Sequence, residues 1–238
     1  MTSRYPVAFL VFSLIIGAVC VRLGVWQLDR LAGRRAASAA ALEQRSLPAV
    51  AFRALVGPGE NRRVVASGQY DFDREIVLRG RARDGVPGVE VVTPLRLAGS
   101  DTAVLVLRGY VPSADAISYA AVIHREPDTA ALTGVAMPVP NDSAGAAPAR
   151  RNSAETWRRL DLASLRARLP YPVAPLYIIA DSPSTVSPAP RRSRPPTLDD
   201  GPHLNYAIQW FAFASIAFGG AAALWWRRRQ DPAGWSSS

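Results

Sequence analysis

Two apolar runs, one near each end, decide most of what this 238-residue chain can fold into. Residues 6–21 are apolar without a charged break, Arg22 interrupts, and residues 23–28 continue the run. A helix over 6–28 has about 23 residues and is roughly 34 Å long, enough to cross a bilayer. Stopping at Val21 would leave a stretch too short to cross. The helix is therefore expected to carry Arg22 with it, the guanidinium snorkelling towards headgroups and Trp26 falling at the interface. The second run, residues 204–226, has no charged residue and ends in Trp225-Trp226-Arg227-Arg228-Arg229.

That arginine triplet marks a cytoplasmic end by the positive-inside rule, so with two spans both termini are expected in the cytoplasm of a bacterial cell. Arg30, Arg34 and Arg35 after the first run argue the other way, but long domains cross membranes largely regardless of charge. A cleaved signal peptide is the alternative for the first run, and it lacks a small-x-small cleavage site. The expected division is 1–5 cytoplasmic, 6–28 first span, 29–181 an extracytoplasmic domain, 182–202 a linker, 203–226 second span and 227–238 cytoplasmic tail. Neither cytoplasmic piece is long enough for an output domain, so the chain is expected to act outside or within the membrane of the cell.

What remains between the runs fits one domain of ordinary size. Residues 31–45, rich in Ala, Leu, Arg and Glu, favour helix until Pro48 ends it. Short β-type runs follow at 62–70, 75–81, 89–97 and 102–111, separated by turn signals such as Asp84-Gly85 and Gly99-Ser100-Asp101. Residues 104–107, Val-Leu-Val-Leu, read as a strand covered on both faces. A short helix is expected over 115–125, a strand over 131–139 and a loop over 140–150. Asp161 is positioned to cap a helix over 162–169, and 177–180 reads as a further strand. Residues 182–197, rich in Pro, Ser and Arg, read as an extended linker. The expected fold class is α+β: two transmembrane helices flanking a mainly antiparallel, β-rich extracytoplasmic domain.

The charge of +9 arises from 28 arginines and no lysine. These are spread along the chain rather than gathered in a basic stripe, so nucleic acid is not an expected partner. Arg79, Arg81 and Arg83 read as a solvated edge that can also meet an acidic partner. The single cysteine, Cys20, allows no internal disulfide. Copper delivery would require clustered Cys, Met or His, and two separated histidines with two methionines do not provide it. No nucleophile-base-orienter set is visible, and no enzymatic activity is expected. His124 reads as a surface histidine.

Four interior stretches recur in order: Leu23-Gly24-Val25-Trp26-Gln27-Leu28-Asp29-Arg30, then Gly68-Gln69-Tyr70-Asp71, then Gly85 to Leu95 with Gly88-Val89-Glu90-Val91-Val92-Thr93-Pro94, then Leu107-Arg108-Gly109-Tyr110-Val111-Pro112. With His203-Leu204-Asn205-Tyr206-Ala207-Ile208-Gln209-Trp210 they resemble the surfeit locus protein 1 family, the Shy1-like assembly factors of cytochrome c oxidase. The likeness covers nearly the whole chain. It departs from the family pattern at Leu107 and Tyr110, and at Gly33, Arg34 and Arg35 where the family carries a Lys, so no family role is carried over to those side chains.

The resemblance implies a bacterial assembly factor for an aa3-type haem-copper oxidase that binds or presents haem A. The implied partners are oxidase subunit I and haem A synthase, together with the lipid bilayer. The residues single out His203, in the first turn of the second span. The helix N-terminus disfavours an imidazolium there, leaving a neutral nitrogen for haem iron. Tyr206 and Trp210 follow at helical spacing as a surface for the macrocycle. Arg22 is a candidate for a haem propionate. The plainer alternatives stay open: His203, Tyr206 and Trp210 as an interfacial belt, Arg22 as a phosphate-seeking side chain, the whole chain as a scaffold that never touches haem, or a membrane-anchored enzyme.

Overall fold

The computed structural model describes residues 5–55, 59–120, 123–141, 149–151, 154–182 and 190–230. In chain order the elements are α1 (Tyr5–Ser46), β1 (Val50–Ala51), β2 (Arg63–Tyr70), β3 (Ile76–Arg83), β4 (Val86–Leu97), β5 (Ala103–Pro112), β6 (Thr129–Pro138), β7 (Ala149–Arg151), β8 (Ala154–Thr156), α2 (Leu162–Arg168), β9 (Val173–Ser182) and α3 (His203–Gln230). They divide into a helical unit drawn from residues 1–39 and 198–238 and a β-rich unit over 40–197. Two long apolar helices flank a β-rich unit, which is an α+β arrangement.

The apolar runs form α1 and α3, each long and apolar enough to cross a membrane. Arg22 does not break α1, and the helix runs on through the Ala-, Leu- and Arg-rich stretch to Ser46, two residues before Pro48. A proline disfavours helix in the residue before it, which sets that end.

In the β-rich unit the strands pair in the order β1-β2-β6-β9-β5-β4-β3, and β2 also pairs with β4. Strands β2, β6, β9, β5 and β4 thus close a ring, with β1 and β3 at its margins. Pairing is mostly antiparallel; β1 with β2 and β5 with β9 are parallel. The ring closes where Gly68 faces Leu97 and Tyr70 faces Leu95. A Cβ on Gly68 would stand 2.0 Å from the carbonyl oxygen of Arg96, so only glycine lets the two backbones meet there.

Side-chain alternation then sorts the core. Val64, Ala66, Leu95, Val104, Val106, Leu132, Ile178 and Ala180 form one buried cluster. Their strand neighbours Val92, Leu105, Leu107 and Ile179 join Trp157, Leu162 and Leu165 in a second, against α2. β5 is therefore buried on both faces, as its unbroken apolar run requires. Each such Val, Leu or Ile stabilises the fold by about 1.5–3 kcal/mol. Asp161 caps α2 as its position suggests, accepting a 2.8 Å hydrogen bond from the Ser164 amide. Asp84 and Gly85 both take positive φ, 53° and 78°, closing the β3-β4 hairpin as a two-residue turn.

Three local expectations differ. No helix forms among the described residues of 115–125. The Asp115 carboxylate instead accepts the amides of Ile117 and Ser118 and the hydroxyls of Ser113 and Ser118. An acidic side chain that satisfies nearby amides competes with helix formation. Within 140–150, residues 149–150 belong to β7, which pairs with β8, and residues 142–148 lie outside the described residues. Of the linker over 182–202, residues 183–189 lie outside them too. Residues 190–194 are extended but not free: Arg191 exchanges backbone hydrogen bonds of 2.8 and 2.9 Å with Tyr110 on β5.

Candidate functional site

In the helical unit, α1 buries Ser13, Gly17, Cys20, Gly24 and Leu31, while α3 buries Ala207, Ala214 and Ala221. Steps of three, four and seven are the repeat with which two helices keep one seam in contact over many turns. The glycines on α1 make room for phenylalanines on α3. A Cβ on Gly17 would lie 2.4 Å from the Phe218 ring, and one on Gly24 would lie 2.8 Å from that of Phe211. Both pairs are seven residues apart on each helix, so together they fix an antiparallel register.

That register brings His203 to Gln27. The Nδ1–H of His203 donates to the Gln27 side-chain carbonyl oxygen at 2.9 Å. An amide oxygen can only accept, so Nδ1 is the donor, and of the two neutral tautomers this contact selects the one with its lone pair on Nε2. Among the described residues Nε2 has no hydrogen-bond partner, and His203 is half-buried. Further along, Arg34 holds Asp199 at 2.9 Å and Arg35 holds Asp200 at 2.7 Å, closing this end of the helix pair with exposed ion pairs. The Arg35 hydrogen bond draws the Asp200 carboxyl below its ordinary range.

Asp200 is taken by Arg35 rather than by a helix amide, a charge-assisted bond being the stronger use of a carboxylate. The Pro202 carbonyl accepts the first helical bond, from the Tyr206 amide at 3.1 Å, so His203 is the first residue of the helix proper.

His203 and Trp210 sit half-buried on the seam side of α3, while Tyr206 is 46% exposed beside them. Trp210 meets Phe213 edge-on with ring centroids 6.0 Å apart. Tyr206, Trp210 and Phe213 thus form one aromatic flank running down from the histidine. Arg22 is exposed and has no ion-pair partner among the described residues. It lies five residues before Gln27, about 7.5 Å along α1 and about 140° around it, so the structure does not bring it to the side of His203. Among the described residues no group of three or more His, Cys, Asp or Glu could hold a bare metal ion.

A second cluster, in the β-rich unit, escapes sequence reasoning. Arg108 ends the apolar run of β5, and its side chain is wholly buried between Glu75 at 2.6 Å and Glu126 at 3.0 Å. Thr93 donates to Glu75 at 2.6 Å, and Arg108 also donates to the His124 carbonyl. Arg192 completes the cluster, 2.8 Å from Glu126. Burial opposes the Arg108 charge, but Glu75 and Glu126 outweigh it and hold the guanidinium above its usual pKa. Burial likewise pushes Glu126 up, and the hydrogen bond and charge of Arg192, with Arg108, bring it below the ordinary range. Tyr119 lies alongside, its pKa pushed up by burial and by Glu75. His124 is not a free surface side chain: it is half-buried and stacked on Tyr119 at 5.7 Å.

The motifs thus have physical work in the β-rich unit. Gly109 admits the 190–194 segment, since a Cβ there would lie 2.4 Å from the Arg191 carbonyl oxygen. The Tyr110 hydroxyl donates to the Val86 carbonyl at 2.6 Å, tying the Arg-Gly-Tyr stretch to the Gly-Val-Pro-Gly stretch. A signal for Arg108 was present in the sequence, a charge set between Leu107 and Val111 in an otherwise apolar strand. Its partners Glu75, Glu126 and Arg192 are scattered, and only the strand pairing gathers them.

Against known proteins, residues 14–215 match the SURF1 family. A SURF1-like protein of Monosiga brevicollis is 26% identical over 231 residues, covering 89% of this chain and 84% of its own length. One from Rickettsia felis is 26% identical over 208 residues, 84% of this chain and 89% of the relative. An uncharacterized SURF1-like protein of Mycobacterium tuberculosis is 32% identical over 160 residues, 66% of this chain and 56% of the relative, so the match spans little more than half of that protein. The match extends from the seam of α1, through the buried Arg108 cluster, to the His203 face of α3, and the chain belongs to the SURF1 family.

Proposed function

We propose that this chain is an assembly factor for a haem-copper, aa3-type cytochrome c oxidase, holding haem A and presenting it to subunit I. It works by binding rather than catalysis, as a two-span protein of the bacterial cytoplasmic membrane with both termini in the cytoplasm and the β-rich unit outside. Family membership supports the oxidase role. The observation that carries the haem role is the Nδ1–H···O bond from His203 to Gln27, which leaves Nε2 as the lone-pair nitrogen.

That donor set suits a porphyrin. A bare ion takes three or four protein ligands, whereas haem iron already carries four porphyrin nitrogens and could be held by one imidazole from the protein, here His203. A histidine that ligates metal commonly donates its other N–H to an acceptor, as His203 does. Haem A is the cargo, and in this reading His203 holds its iron while Tyr206 and Trp210 lie against the macrocycle. Arg22 enters only as a cation within an apolar helix, without an ion-pair partner among the described residues and available to a propionate or a lipid phosphate. Haem A synthase is the proposed donor.

The test is an absorption spectrum. Full-length protein purified with haem A present should show a Soret band that His203→Ala lacks. Equal spectra would remove haem from the proposal and leave a scaffold of the oxidase assembly complex. That second reading draws on a cleft in the β-rich unit lined by Arg79, Arg81 and Arg158 together with Asp115, three cations to one carboxylate, a net-basic surface for an acidic protein.

A further inference from the structure

The His203–Gln27 pair joins side chains 176 positions apart, and nothing local explains it. Gln27 is a polar residue on the buried side of an apolar helix, four positions before Leu31 and three after Gly24, on the same seam. A glutamine there carries a desolvation penalty unless its amide is bonded. Its position is set by the Gly24–Phe211 and Gly17–Phe218 contacts, which fix how far α3 slides along α1.

We infer that Gln27 is the positioning residue for His203. This rests on the haem reading above and adds a second residue to it. Accepting the Nδ1 hydrogen does three things. It selects the tautomer with the lone pair on Nε2, it stops the ring from flipping about its Cβ–Cγ axis, and it raises the basicity of Nε2 towards a metal. Without it the neutral ring is free to place its hydrogen on either nitrogen, and one of the two forms offers no lone pair at Nε2. Gln27 need not touch the cargo; its effect passes through the imidazole.

Two variants separate this role from simple packing. Gln27→Leu keeps the size of the side chain and suits an apolar seam, while Gln27→Glu keeps an acceptor. The first measurement uses full-length protein in detergent without haem: ring-nitrogen NMR of the histidines, with His124→Gln identifying the signals of His203. Wild type and Gln27→Glu should show Nδ1 protonated, and Gln27→Leu should show mixed tautomers. A single Nδ1–H tautomer in Gln27→Leu would overturn the inference whatever haem does. The second is a haem A titration of the same proteins. Gln27→Leu should bind about tenfold more weakly, and Gln27→Glu should bind with a lower midpoint potential, because a carboxylate acceptor gives the imidazole more anionic character and favours ferric iron. Wild-type affinity and potential in both variants, with binding still abolished by His203→Ala, would overturn the role of Gln27 and leave the haem reading standing. No haem binding by wild type would overturn the haem reading, and with it the role of Gln27 towards iron, leaving the NMR result to decide the tautomer.

Discussion

Arg108 and Glu75 meet at 2.6 Å inside the β-rich unit, the arginine side chain fully excluded from solvent and the glutamate 7% exposed. Two charges so buried are held by each other and by Glu126, Arg192 and Thr93. Such a network adds little over an apolar core, but breaking one side of it strands the other.

Arg108→Met should therefore destabilise the protein by about 3–5 kcal/mol, because Glu75 and Glu126 lose their shared cation in a buried site. Urea unfolding followed by tryptophan fluorescence measures it. The triple change Arg108→Met with Glu75→Gln and Glu126→Gln should lose less than Arg108→Met alone.

Acid should weaken the same cluster. Glu126 titrates below its ordinary value in the folded state, so its stabilisation is fully present above about pH 4.5 and is lost as pH falls through the lower folded value. Stability measured from about pH 6 down to about pH 3 should fall in wild type and fall less steeply in Glu126→Gln.

Gly109→Val should detach the 190–194 segment without unfolding the strands beneath it. The new side chain would occupy the place of the Arg191 carbonyl oxygen, 2.4 Å from its Cβ. Hydrogen exchange should show faster exchange at the Tyr110 and Arg191 amides, which bond across that contact at 2.8 and 2.9 Å, and little change at Val104 and Val106.

In the helical unit, Gly24→Val should cost about 1–3 kcal/mol through overpacking against Phe211. Phe211→Ala in the same protein should recover part of the loss, since the side chain that clashes is gone. Thermal unfolding in detergent of the four members of this cycle gives the coupling between the two positions.

How far the sequence reached can be judged at particular residues. Asp161 was legible as a cap because its bond to Ser164 is three residues away. Asp84-Gly85 was legible as a turn because positive φ is a local demand. The apolar run ending at Leu107 showed a strand buried on both faces. The helix expected over 115–125 was misjudged because local composition does not show that the Asp115 carboxylate takes four local donors instead. At the candidate site, the sequence singled out His203 and grouped Tyr206 and Trp210 with it by helical spacing. It offered Arg22 as a companion, which lies on another side of α1, and overlooked Gln27, which is the actual neighbour.

By itself, then, the sequence determined the elements: two long apolar helices, a run of short strands between them, and a histidine where the second helix begins. These follow from periodicity, turn chemistry and apolar length, each a property of a few consecutive residues. Tertiary structure alone decided which distant side chains meet. Glu75, Arg108, Glu126 and Arg192 become one buried cluster through strand pairing, and Gln27 reaches His203 because two glycines on α1 accept two phenylalanines from α3. Such contacts depend on register between segments far apart in the chain, and register is set by packing rather than by local sequence.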